Sequence, residues 1–189
     1  VVEEADAAAS LVRHSHCNDL VVLSQPDRDA EDHAAARRLV ERVMLESARP
    51  TLLLPCAGRF EQIGHRVLVA WDDSREAARA VADALPLLRK AERVHVTSWQ
   101  ENAADDDVLL GQRLAGVQDW LRRHGVGAQM RVEQADGAIA DAMLSRAADL
   151  GVDLIVMGAY GHARWTERLL GGATRGLLST MTVPVLLSH

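Results

Sequence analysis

Short apolar runs recur between longer amphipathic stretches, and this alternation restricts the chain more than any other feature. Arg66-Val67-Leu68-Val69-Ala70-Trp71 reads as a buried strand, because a run of that length without polar alternation has both faces covered. Further runs follow at residues 94–99, 129–134, 152–158 and 183–187. Between the first two, residues 75–91 place Ala77, Ala80, Val81, Ala84, Leu85 and Leu88 on one helical face. Pro86 predicts a kink or an early end there. Asp72-Asp73-Ser74 ends the first run and offers capping side chains.

Asp105-Asp106-Asp107 opens a second helix, where carboxylates meet the positive helix end, and Gly125 stops it after His124. Third and fourth helices are expected near residues 137–149 and 172–180. The run at 129–134 alternates and belongs near an edge, whereas 152–158 is apolar enough to be central. Pro184 falls near the start of the last strand, where a missing N–H does least harm. The prediction is an α/β fold with an open, doubly wound, parallel five-stranded sheet and right-handed crossovers. Ligands of such sheets lie beyond the carboxyl ends of the strands, where the strand order reverses.

The chain also repeats itself. Asp19-Leu20-Val21-Val22-Leu23 is similar to Asp153-Leu154-Ile155-Val156-Met157, and Pro50-Thr51-Leu52-Leu53-Leu54 to Pro184-Val185-Leu186-Leu187-Ser188. Both pairs are 134 residues apart. Ala5-Asp6-Ala7 and Ala140-Asp141-Ala142 match one residue out of step. A fixed offset marks a duplicated unit. Residues 1–58 are therefore expected to be the C-terminal half of a first, degenerate domain, and residues 62–189 a complete second one. The chain starts at Val1 without Met, and about 70 residues of the first copy are expected upstream if the period holds.

After the fourth run comes Met157-Gly158-Ala159-Tyr160-Gly161, and nine residues beyond Gly161 come Gly171-Gly172-Ala173-Thr174. The first two glycines permit a tight turn and close approach to the backbone. The later pair opens a helix, whose free N–H groups and dipole favour an anion. Alone, these glycines fit a loop with turns and a helix start; placed between a strand and a helix, they read as a phosphate cradle.

Gly158-x2-Gly161-x9-Gly171 resembles the adenine-nucleotide motif of the universal stress protein family. Val183-Pro184-Val185-Leu186 resembles that family's last strand and residues 67–74 its first. The resemblance covers residues 62–189 and, more weakly, 1–56. It implies a Rossmann-like sheet, of the adenine nucleotide alpha hydrolase-like kind, with strand order 3-2-1-4-5. It also implies an ATP site formed by Ala70, Trp71 and Asp72 at the first strand's end, Val96 on the second strand, and Met157, Gly158, Gly161, Gly171, Gly172 and Ala173 around ribose and phosphates. The family motif continues with Ser or Thr, whereas this chain has Gly172. A lost hydroxyl–phosphate bond is worth roughly 1.5–3 kcal/mol, which weakens ATP binding without abolishing it. Thr174 or Arg175 could compensate in part.

The first copy departs further. Ser24, Asp27, Arg37 and Arg38 stand where the second has Gly158, Gly161, Gly171 and Gly172. Asp27, Asp29, Glu31 and Asp32 would repel phosphate, so no nucleotide is expected there. His14-Ser15-His16-Cys17 cannot wrap a tetrahedral ion alone and reads as a polar helix end rather than a metal site. Asp72 and Asp73 could hold Mg²⁺ beside a triphosphate or cap the next helix. His162 reads as a solvated loop histidine, and Tyr160 and Trp165 as packing residues. No Ser-His-Asp or Cys-His set occupies a motif position, so catalysis beyond slow ATP hydrolysis is not expected.

Composition narrows the classes. Of 189 residues 48% are hydrophobic, enough for a core, and the net charge of −6 removes the usual electrostatic case for nucleic acid. No apolar run reaches the roughly 18 residues of a membrane span, and no signal peptide is visible. Two isolated cysteines fit a reducing, cytoplasmic setting. The expected function is an adenine-nucleotide-binding regulator of stress response that acts through partner association. The alternative is a scaffold that keeps the fold and binds no nucleotide. Residues 51–54 are expected to pair with 185–187, either within a pseudo-dimer of the two copies or in a homodimer.

Overall fold

The computed structural model describes residues 6–100, 107–159 and 172–189. In chain order the elements are α1 (Ala7–Ser15), β1 (Val21–Ser24), α2 (His33–Glu46), β2 (Thr51–Leu54), β3 (Arg66–Ala70), α3 (Arg75–Leu88), β4 (Arg93–Gln100), α4 (Asp107–Arg123), β5 (Ala128–Gln134), α5 (Ile139–Asp149), β6 (Leu154–Gly158), α6 (Gly172–Thr180) and β7 (Val185–Ser188).

The strands form one sheet ordered β1-β2-β7-β6-β3-β4-β5. Its last five strands in chain order, β3 to β7, take the expected 3-2-1-4-5 arrangement, all parallel. The sheet does not stop at five strands. β2 pairs antiparallel with β7, and β1 pairs parallel with β2. The expected open parallel sheet of five is thus a mixed sheet of seven, because the outer edge of β7 binds another strand instead of meeting water.

The β2–β7 register joins Thr51 to Leu187, Leu52 to Leu186 and Leu53 to Val185. Thr51 stands 134 residues before Val185 and Leu53 the same distance before Leu187, so the junction maps onto itself about the Leu52–Leu186 pair. On one side of that axis run α1, β1, α2 and β2; on the other run α5, β6, α6 and β7 in the same order. The match ends at β1. Val22 is 52% exposed, whereas Val156, its counterpart on β6, is fully buried. β6 has β3 beyond it and α3 over it; among the described residues no strand pairs with the outer edge of β1.

Alternation along each strand sorts the core into two layers. Val67, Val69, Leu154, Val156 and Leu186 pack with Ala80 and Val81 of α3 and Leu121 of α4. Leu68, Ile155, Val185 and Leu187 pack with Met143 of α5 and Leu177 of α6. The small residues of α3 let it lie close on the sheet, and the helix runs through Pro86 to Leu88. α4 ends where Gly125 takes φ +78°. The N–H groups of Gly125 and Val126 donate back to the carbonyls of Arg122 and Leu121, the pair of hydrogen bonds that a left-handed glycine makes possible. Asp153 fastens the entry to β3 by accepting from the N–H groups of Gly64 and Arg66 on Oδ1 and of His65 on Oδ2.

Candidate functional site at the strand switch

Chain order runs from β3 through β4 to β5 on one side and from β6 to β7 on the other, so the switch point lies between β3 and β6. Ala70, Trp71 and Asp72 occupy the carboxyl end of β3, and Met157 and Gly158 that of β6. The structure therefore brings these five expected site residues together. Gly172 and Ala173 open α6. Gly161 and Gly171, like Tyr160, His162 and Trp165, lie outside the described residues. Val96, on β4, stands level with Val69, one residue before the end of β3. It is fully buried in the layer under α3 and α4.

The turn from β3 into α3 is built from polar side chains. Asp72 Oδ1 accepts from both the N–H and the hydroxyl of Ser74. Ser74 Oγ in turn accepts from Ala77 N–H at 3.0 Å, so Ser74 is the N-cap of α3, ahead of either aspartate. Asp73 has φ +61° and its Oδ2 lies 3.3 Å from Arg113 Nε of α4. The two carboxylates thus take separate roles, one inside the turn and one bridging to a neighbouring helix. Among the described residues no group of three or more His, Cys, Asp or Glu side chains could hold a metal ion. The single carboxylates Asp72 and Asp73 could still accompany a phosphate-bound Mg²⁺.

Trp71 is 8% exposed and its N–H donates to the carbonyl of Thr97 at 2.9 Å. Its buried indole Nε1 finds no acceptor among the described residues. Glu76, in the first turn of α3, is 2% exposed. Burial by itself raises its pKa, but the Arg75 hydrogen bond, its own backbone N–H and the charges of Arg75 and His189 outweigh burial and hold it below the ordinary value. Arg75 Nε donates to Glu76 Oε1 while the rest of that side chain stays mostly exposed. Two cations, Arg75 and Arg113, are thus tied to the turn between β3 and α3 through Glu76 and Asp73.

Gly158 meets the start of α3 at close range. A Cβ built there would stand 2.7 Å from Ala77 N and 2.7 Å from the carbonyl carbon of Glu76. Sequence reasoning missed Glu76, Arg113 and this contact. A Ser-Arg-Glu stretch after a strand signals a helix start and its acidic first turn. Nothing local to residue 113 points at Asp73.

A family model of the universal stress protein family matches residues 64–189. The chain belongs to the universal stress protein family. A universal stress protein of Synechocystis sp. is 25% identical over 179 residues, covering 89% of this chain and 57% of the relative. The chain thus spans a little over half the length of that curated relative. A universal stress protein structure from Archaeoglobus fulgidus DSM 4304 superposes with a TM-score of 0.73 at 20% identity, covering all of this chain and 68% of that one. A universal stress protein solved in complex with cAMP gives 0.53 at 22% identity over 66% of this chain and 97% of that one. These likenesses show the universal stress fold. No helix among the described residues is long and apolar enough to cross a membrane.

Proposed function

We propose that this universal stress protein is a cytoplasmic regulator that binds an adenine nucleotide at the β3–β6 switch point and acts through partner association. The observation that carries the reading is the convergence there of two strand ends, one followed by Asp72 and the other ending in Gly158, with Gly172 opening α6. Adenine would lie near Ala70 and Trp71, and phosphates near Gly161, Gly171, Gly172 and Ala173, where backbone N–H groups and the α6 dipole favour an anion. A family member solved with cAMP supports the ligand class. We also propose that residues 1–58 are the C-terminal half of a first domain, joined to the second through β2 and β7. The shared 134-residue offset and the symmetric register support it.

The second reading is a scaffold without nucleotide. Gly158 favours it, because packing against α3 accounts for that glycine with no ligand. Gly172 favours it too, since the motif hydroxyl is absent. Calorimetric titration with ATP·Mg²⁺ separates the two. Binding lost in Gly161→Val supports the regulator. Gly172→Thr should tighten it about tenfold by restoring one phosphate bond. No heat up to about millimolar ATP, equivalent to less than about 4 kcal/mol of binding, leaves the scaffold.

A further inference from the structure

Gln25 ties together three segments that are far apart in the chain. It follows β1, is 7% exposed, and its N–H donates to the carbonyl of Leu54 at 2.7 Å. Its side-chain Nε2 donates to the carbonyl of Leu178 at 2.8 Å, and its Oε1 accepts from the N–H of Cys56 at 3.1 Å. Leu178 lies in the last turn of α6, where backbone carbonyls have no partner inside the helix. A buried amide with donor and acceptor both used is a costly group to displace. The residue 134 positions on, Ala159, is fully buried and has no side chain to make such bonds. The brace is therefore one-sided, and it grips the helix that begins at Gly172.

Gly172 is six residues from Leu178, about 9 Å along the helix axis. The two positions are joined by continuous helical hydrogen bonding, so steadying one turn bears on the other. We propose that Gln25 is a positioning residue that couples the nucleotide cradle at the start of α6 to the segment after β2, so that occupancy of the cradle is reported at Cys56. The inference rests on the nucleotide-binding reading and extends it, because it names where binding is felt. Cys56 is a free, exposed thiol and serves as its own reporter. Cys17, also free and exposed, follows α1 and takes no part in the Gln25 bonds.

The test uses the full chain carrying Cys17→Ser. Labelling of Cys56 by an aromatic disulfide reagent and amide exchange are followed with and without ATP·Mg²⁺. Binding should slow exchange of the Cys56 N–H and change its labelling rate at least twofold. Gln25→Met keeps length and burial but removes both bonds; it should abolish that response and weaken ATP about fivefold. Gln25→Glu keeps the acceptor for Cys56 and loses the donor to Leu178, so it should uncouple α6 while Cys56 stays protected. Without nucleotide, Gln25→Met should speed exchange of the last α6 turn and Cys56 together. ATP binding to the starting protein with no response at Cys56, or an unchanged response in Gln25→Met, overturns the coupling. A silent titration defeats the nucleotide reading and the coupling with it, and the ligand-free exchange then still decides whether Gln25 braces α6.

Discussion

Replacing Gly158 with alanine should destabilise this protein with no nucleotide present. The new Cβ would lie 2.7 Å from Ala77 N and Glu76 C and 2.8 Å from Glu76 Cβ, against the roughly 3.5–4.0 Å of an ordinary carbon contact. None of these atoms is the loose end of a flexible side chain. Two are helix backbone, and that backbone is pinned by the Ser74 cap. On the other side, β6 is a central strand paired with both β3 and β7. Either the strand or the helix has to shift by roughly 1 Å. Overpacking of this kind costs about 1–3 kcal/mol, and contact between two backbones places Gly158→Ala near the upper end. At about 2–4 °C per kcal/mol for a chain of this size, the melting temperature should fall by about 6–12 °C.

Conformation does not explain the glycine, since Gly158 is absent from the positive-φ residues. The assay is thermal unfolding of ligand-free protein by circular dichroism. Gly116→Ala serves as the control, because its Cβ would meet nothing within 4 Å and helix propensity alone should stabilise α4 by about 1 kcal/mol. If Gly158→Ala melts with the parent protein, the close approach of α3 to β6 is not what requires glycine, and a ligand becomes the better explanation.

Asp153→Ala should cost about 2–3 kcal/mol in urea unfolding, since three backbone N–H groups at the entry to β3 lose a charged acceptor at once. Burial first, then the charges of Arg146, Arg131 and Arg93, hold His95 below its ordinary value of 6.5. The unfolded chain therefore binds the proton more readily, so this contribution is full above about pH 6.5 and declines as pH falls toward the lowered folded value. The urea midpoint should drop over that window, and His95→Leu should remove that part of the slope. Glu76, also lowered, acts in a more acidic range: its contribution is present above its ordinary 4.5 and is lost as pH falls through the folded value. Glu76→Gln should flatten the acid limb of the same titration.

Much of this fold can be read from local pattern. The run 172–180 becomes α6 at those bounds, and residues 51–54 meet 185–187 as expected of two such copies in one chain. Gly125 ends α4 with the positive φ of a left-handed glycine stop. The positions of the strand ends were legible. Asp72, Trp71 and Gly158 are placed by where a strand stops, which apolar run length gives. Val96 is placed by which face it points to and by its register with Val69, and no run length contains that. The same limit hid Glu76, buried by the close seat of α3, and Arg113, which reaches Asp73 from another element.

By itself the sequence determined the order and kind of elements in residues 62–189 and the 134-residue correspondence, while the switch point between the first and fourth strands rested on the family resemblance. The elements and the correspondence follow from hydrophobic period, capping residues and self-similarity, all of which act within a few residues or between matched segments. Only the tertiary structure decided that β1 extends the sheet beyond β2, that Gly158 is held by contact with α3, and that Gln25 grips Leu178 from 153 residues away. Each depends on a close approach between segments distant in the chain, whether two backbones with no room for a Cβ or a side chain 2.8 Å from a carbonyl. Such distances are set by how the layers pack, and packing is a property of the whole molecule.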